Sequence, residues 1–277
     1  MSKLEYAFTN DTLFKMLFVK YPELLKKLVA ALLHMNIESI HRFVIKNPEM
    51  PPDIVGGKFC RLDINMEVDE EIIDLEVQVG DQGDYAARSL YYWAREYSLA
   101  LSEGEAYKSL PRTVVISILG FKQFECQEYH SEYRALEVSR HTLLTDKMEL
   151  HYFELLKLPE EFTVEDERLQ WLKLFGAETE EDLQKIKEMG VEAMQEAIEA
   201  YREVSATAEF RELERQRERA RHNEASALLH AETVAKAEER EKWQAVVAEK
   251  DATHSAEMAE KDAELARLRA LLEKKPV

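Results

Sequence analysis

From Cys60 to Val68 every even position is apolar (Cys60, Leu62, Ile64, Met66, Val68), while the odd positions hold Arg61, Asp63, Asn65 and Glu67. A period of two predicts a strand with one buried and one polar face. After Asp69 and Glu70 the parity reverses. Ile73, Leu75, Val77 and Val79 are apolar, and Asp74, Glu76 and Gln78 are polar. Two alternating runs joined this tightly predict an antiparallel hairpin. Phe59 and Ile72 depart from the alternation, each at a strand end. A two-residue loop at Asp69-Glu70 sets Asp63 opposite Glu76, and a loop two residues longer sets it opposite Gln78. Either register gathers Asp63, Glu76 and Gln78 on one face, with directly opposed Cβ atoms ~5 Å apart. Two carboxylates that close repel unless neutralised. Mg²⁺ would serve, since it prefers one or two carboxylates plus water and phosphate oxygens. The face reads either as a metal clamp or as the solvated outer side of an acidic hairpin.

Helical spacing precedes the hairpin. Thr9-Asn10-Asp11 is a helix N-cap candidate, and Phe14, Leu17, Phe18 and Tyr21 follow at helical intervals, with Pro22 a point of division into two helices. Asp11 and Lys15 lie one turn apart, as an exposed ion pair or as part of a site. Residues 38–46, with IHRFVI, predict a strand, and Asn47–Gly57, rich in Pro and Gly, a loop.

Beyond the hairpin, residues 81–103 predict a helix opened near Asp81 or Asp84. Ala86, Leu90, Trp93, Tyr97 and Leu101 form an apolar stripe, and Tyr85, Arg88, Tyr92 and Arg95 an aromatic and basic one. The second stripe could touch phosphates or cover a sheet with its polar tips in water. Thr113–Phe121 is short, apolar and β-branched, as in a central strand. Residues 128–138 and 148–156 predict further strands. The last contains His151, read as a packing or surface residue. Helix, strand, hairpin, helix and strand in this order predict an α/β sheet flanked by helices.

From Pro159 the character changes. Two short helical runs occupy 162–190, with Gly176 and Gly190 as stops, and no proline follows until Pro276. Residues 237–247, 248–258 and 259–269 repeat with a period of 11, aligning Trp243, His254 and Leu265. That period favours a long, nearly straight helix or coiled coil, and with it self-association through this helix. The expected organisation is a core over 1–158, a helical connector over 159–203 and a charged helix over 204–273.

Charge narrows the function classes. Residues 205–277 hold 14 of the 37 basic and 16 of the 55 acidic residues, a net of −2, so the first 204 carry −16 of the total −18. An indiscriminate nucleic-acid binder, whose affinity comes from neutralising phosphates, is disfavoured. A nuclease with a local basic groove and bound metal is not. The two cysteines, Cys60 and Cys126, make no disulfide framework. No run approaches the ~20 apolar residues of a membrane span, and the N-terminus has no signal-peptide layout. A cytoplasmic protein is expected.

Several motifs in order are similar to the PD-(D/E)XK nuclease superfamily. They are Asp11 with Phe14-Lys15 in NDTLFKMLF, Asp63 in KFCRLDI, Glu76 and Gln78 in DLEVQV, Arg88 with Tyr91-Tyr92 in ARSLYYWA, and Gly104 and Tyr107 before the strand at Thr113. More narrowly, the first 155 or so residues resemble the bacterial recombination-promoting nuclease and putative transposase family. The resemblance implies a PD-(D/E)XK-like α/β core, a mixed sheet flanked by helices, with a long C-terminal helix or coiled coil behind it. It implies a metal-dependent DNA endonuclease that could serve recombination or transposition. Asp63, Glu76 and the Val77 carbonyl would hold Mg²⁺ (or Mn²⁺), with Asp11 an accessory acid. Arg61, Arg88 and Tyr92 would meet DNA. The superfamily lysine is replaced by Gln78, as in the narrower family. Gln carries no charge, so Lys15, with Lys58 and Arg61 behind it, is the candidate source. The alternative is a catalytically degenerate nuclease fold that acts as an assembly protein through its coiled coil.

Overall fold

A computed structural model describes residues 2–46, 49, 50, 60, 61, 63–81 and 83–273. For residues 49, 50, 60, 61, 221, 224 and 270–273 it describes the backbone alone. Lys58 and the side chain of Arg61, both candidates from the sequence, lie outside the described residues.

The hairpin closes through the two-residue loop. Strand β4 (Ile64–Val68) pairs antiparallel with β5 (Glu71–Gln78), and Ile64 faces Leu75 and Val68 faces Glu71. Asp69 adopts φ 52°, a left-handed conformation that Asp tolerates. Its carboxylate accepts the N–H groups of His41 and Arg42 at 2.9 and 2.8 Å, which ties the turn to the preceding loop. The strand expected over 60–68 is interrupted. A short β3 (Cys60–Arg61) pairs with β2 (Glu49–Met50) apart from the main sheet, and Asp63 sits in a bend just before β4. The strand expected over 38–46 is likewise shorter, β1 (Phe43–Lys46), after a 3₁₀ turn at Ile37–Ser39.

Helix α1 (Asp11–Lys20) is capped by Asn10, whose side chain accepts the Leu13 N–H at 2.9 Å, and Pro22 opens α2 (Pro22–Leu33). After β5 comes α3 (Tyr85–Leu99). It crosses to β6 (Thr113–Leu119), which runs parallel to β5, and β8 (Met148–Glu154) lies parallel to β6. The edge strand β7 (His130–Arg134) pairs antiparallel with β8. The six-stranded order is β1-β4-β5-β6-β8-β7. Every residue of β6 is buried, as its largely apolar, β-branched run requires of a central strand.

The two faces of the sheet are covered differently. Met66, Ile73, Leu75, Val114, Ile116 and Phe153 pack with α1 and α2 into one large core. Helices α4 (Glu167–Phe175), α5 (Glu180–Glu188) and α6 (Glu192–Ala206) add Trp171, Phe175, Leu183, Ile198 and Tyr201 to that same core. The opposite face meets α3 through a smaller cluster of Tyr85, Val115, Leu119, Leu150 and Tyr152.

It is the aromatic and basic stripe of α3 that turns to the sheet. Tyr85, Ser89, Arg95 and Glu96 are buried, while Leu90 of the apolar stripe is 45 % exposed. The reason lies beneath the helix, where the Ser117 and Tyr152 hydroxyls and the Thr113 carbonyl present polar groups that need partners. Tyr85 donates to Ser117 Oγ at 2.9 Å, Ser89 Oγ and Tyr152 Oη lie 2.6 Å apart, and Trp93 donates to the Thr113 carbonyl at 3.0 Å.

The chain divides into two units, Met1–Leu213 and Glu214–Val277. Helix α7 (Ala208–Glu273) begins in the first, where Phe210 is buried edge-on to Tyr6. In the second unit it exposes Leu228, Leu229, Trp243, Val247, Met258 and Leu265. Among the described residues no helix is long and apolar enough to cross a membrane.

Candidate active site

The bend at Asp63 exists because its side chain replaces a strand bond. Asp63 Oδ2 accepts the Val77 N–H at 2.8 Å, and the Asp63 N–H donates to Glu76 Oε1 at 2.9 Å. One oxygen of each carboxylate is thereby fixed by a main-chain donor. The register continues to place Asp63 beside Glu76, as the two-residue loop predicts. Both acids are buried, 8 % and 1 % exposed, which removes the reading of this face as a solvated outer surface. Gln78 lies at the same end of β5 and is half-buried.

The electrostatics follow from burial. Desolvation first, and then the Asp63 charge, hold the Glu76 carboxyl well above the usual carboxylate range. The Asp63 N–H, Lys15 and Arg88 pull it back in part. Asp74, directly opposite Asn65 and two residues before Glu76, is also raised by burial and by the charges of Glu76, Glu96 and Asp63. Among the described residues, neither oxygen of Asp74 has a hydrogen-bond partner. The alternation that exposed Glu76 in the sequence marks Asp74 too, as a polar residue of the same face.

Two cations approach from different elements. Lys15 Nζ of α1 lies 3.4 Å from Asp11 Oδ1 and 3.5 Å from Asp63 Oδ1, so Asp11, Lys15 and Asp63 are brought together. Arg88 of α3 donates to Gln78 Oε1 at 3.1 Å and lies 4.9 Å over the Tyr85 ring. Gln78 Nε2 in turn reaches Glu76 Oε2 at 3.5 Å, a long contact. Tyr92, one turn after Arg88, is half-buried. Behind this end of β5, Gly120 donates to the Gln78 carbonyl at 2.8 Å. A Cβ at Gly120 would lie 3.2 Å from Val79 Cα, so only glycine fits without displacement.

The donor set suits a hard divalent cation. The second oxygens, Asp63 Oδ1 and Glu76 Oε2, lie 3.5 Å from Lys15 Nζ and from Gln78 Nε2, respectively. In a strand, a residue's N–H and C=O face the same edge. The Val77 carbonyl therefore points to the corner where its N–H meets Asp63. The repulsion that raises Glu76 is what a cation would relieve.

A second cluster is found on the other face. The ligand atoms of Glu132, Glu149 and His151 lie within 4.8 Å of one another. His151 is buried and far from solitary. Its Nδ1 is 3.0 Å from His130 Nε2, and its Nε2 is 2.8 Å from Glu149 Oε1. Arg112 and Arg134 both bond Glu149, and Arg134 also bonds Glu132. Burial would raise the Glu149 carboxyl, but bonds from His151 and Arg112 hold it down at about 2. With two guanidinium groups in place, this is a charge-balanced network that ties β7 to β8.

Residues 8–231 match the model of a family described as PD-(D/E)XK nuclease family transposase. No curated protein and no solved structure matches the chain. The mixed sheet, the helices on both faces and the matched span agree, and the chain belongs to the PD-(D/E)XK nuclease family transposases.

Proposed function

We propose that this protein is a Mg²⁺- or Mn²⁺-dependent DNA endonuclease that hydrolyses phosphodiester bonds, with a role in recombination or transposition. The observation that carries this reading is the buried Asp63–Glu76 pair, each carboxylate with one oxygen fixed by a main-chain N–H. Asp63, Glu76 and the Val77 carbonyl would hold the cation. When bound, it would lower the pKa of a water and offset charge on the phosphate. Lys15, held between Asp11 and Asp63, would meet a non-bridging phosphate oxygen. Gln78 presents its amide N–H groups beside Glu76. Tyr92, one turn after Arg88 on α3, would contact the strand being cut. On a body this acidic, such local cations matter more than the net charge.

The apolar residues exposed along α7 favour self-association. Trp243, His254 and Leu265 are spaced by 11, about three turns, and so line up on one face. A second copy of the same helix is the proposed partner. This feature also supports the alternative of an assembly protein on a degenerate nuclease core, an alternative to which the absent charge at Gln78 lends weight.

Cleavage of supercoiled plasmid separates the two. Metal-dependent nicking, abolished by EDTA and by Asp63→Asn or Glu76→Gln, is the expected result. Folded, metal-supplied protein that leaves the plasmid intact would support the assembly reading instead.

A further inference from the structure

Gln78 and Arg88 raise a question of chemistry. An acid pair that binds a cation and then a phosphate needs a directed donor and a positive charge at its edge. Gln78 has only the donor. Arg88 has the charge, but it is bonded to the far side of the Gln78 amide.

That bond determines which way the amide faces. Guanidinium groups only donate, so the Gln78 oxygen must turn to Arg88. Its nitrogen is then directed to Glu76 Oε2. Arg88 is itself fixed. Its guanidinium lies over the ring of Tyr85, and the Tyr85 hydroxyl is anchored on Ser117. Tyr85 is 1 % exposed and Ser117 also 1 %, so this support is rigid and dry, and the charge above it is weakly screened.

We infer that Gln78 and Arg88 work as one unit, in which Arg88 supplies the positive charge and Gln78 the oriented N–H donor that a single lysine would otherwise combine. Arg88 acts through Gln78 and is a positioning residue. Lys15 serves the Asp63 side and Arg88 the Glu76 side, so the acid pair is flanked by one cation from each face of the sheet.

The inference rests on the metal-dependent reading of the Asp63–Glu76 pair, so the test reads metal binding without DNA as well as cleavage. The full-length protein is titrated calorimetrically with Mn²⁺ as wild type, Arg88→Gln, Arg88→Lys and the double variant Gln78→Lys/Arg88→Gln. Single-turnover cleavage and DNA affinity in Ca²⁺ are measured on each, with a melting curve to show folding. Removing a nearby positive charge should tighten Mn²⁺ binding by about three- to tenfold. The same change should slow cleavage by about tenfold or more, with DNA affinity changed by less than about twofold. The double variant should return both values toward wild type, and Arg88→Lys should fall between.

A plain DNA-contact role predicts the reverse, with weaker DNA binding and unchanged Mn²⁺ affinity, and would overturn the inference. So would a folded, Mn²⁺-binding double variant that restores nothing. A wild type with no Mn²⁺ site removed by Glu76→Gln would overturn the metal-dependent reading and this inference with it. An intact site indifferent to Arg88→Gln overturns the inference alone.

Discussion

The Asp63 N–H donates to Glu76 Oε1 at 2.9 Å across the mouth of the hairpin, so the main chain of one acid holds the side chain of the other. The pair is thus a feature of backbone geometry as well as of charge. Replacing either carboxylate by its amide keeps the shape and removes the charge. Asp63→Asn and Glu76→Gln should therefore fold, and should lower cleavage by about a hundredfold or more. Plasmid nicking alongside a melting curve checks both halves of the statement.

Asp74 carries the cost of a buried carboxylate without any bond to repay it. Asp74→Asn should raise the melting temperature at pH 8, by roughly 1–3 kcal/mol of stability. The sign with pH follows from a folded-state pKa raised above its unfolded value. Below the unfolded value both states hold the proton and the residue is neutral to stability. Above it the unfolded chain releases the proton and is favoured. The gain from Asp74→Asn should accordingly shrink as pH falls toward 4.

The His130–His151–Glu149 network predicts two steps of acid sensitivity. Burial first, then the charges of Arg168 and His151, depress His130 from 6.5 to about 4. Between those values the unfolded chain takes up a proton that the folded one refuses, so stability declines as pH drops from 6.5 to 4. Glu149, at about 2 against 4.5 unfolded, contributes stability above pH 4.5 that is lost as pH falls toward 2. Each step is at most about 3 kcal/mol. Denaturant melts from pH 7 to 3 should show the first decline, and His130→Asn should flatten it.

In β6 the side chain of Ile116 is fully buried at the centre of the sheet. Ile116→Ala should cost about 2–5 kcal/mol. Leu228→Ala, on the exposed part of α7, should leave the melting of the Met1–Leu213 unit unchanged. Chemical denaturation of the two variants makes the comparison.

Along the second unit, Trp243→Ser with Leu265→Ser should shift the protein toward monomer if the aligned residues seat a second copy. Light scattering on the eluting protein reads the mass directly. Cleavage per chain should persist, because neither residue belongs to the unit that contains Asp63 and Glu76.

How far the sequence spoke depends on how local each signal is. The parity change at Asp69-Glu70 requires only neighbours, so the hairpin and the gathering of Asp63, Glu76 and Gln78 on one face were legible, while the choice between the two registers came from the structure. The Asn10 cap of α1 was legible too. The bend at Asp63 was not. The alternation runs straight through Asp63, and only the side-chain bond to Val77, 14 residues away, shows why the strand bends there. Helix α3 was legible as a helix but not in which stripe it would bury. That choice is made by Ser117 and the Thr113 carbonyl of β6 and by Tyr152 of β8, which no pattern within the helix reports. His151, read as a packing or surface residue, is buried, but its network was not legible, since His130 comes beside it only through the pairing of β7 with β8.

The hydroxyls beneath α3 have a mechanical consequence. A helix resting on grease can roll by tens of degrees with small loss, because dispersion has no preferred direction. Hydrogen bonds do have one. Tyr85 to Ser117, Ser89 to Tyr152 and Trp93 to the Thr113 carbonyl lie along two turns and more of the helix, and together they act like keys in a shaft. They leave α3 one azimuth and one axial setting, and that setting delivers Arg88 to Gln78. Loosening a single key, as in Ser117→Ala, would leave the helix in place yet mistime its angle, so alignment at the acid pair would fail well before the fold did.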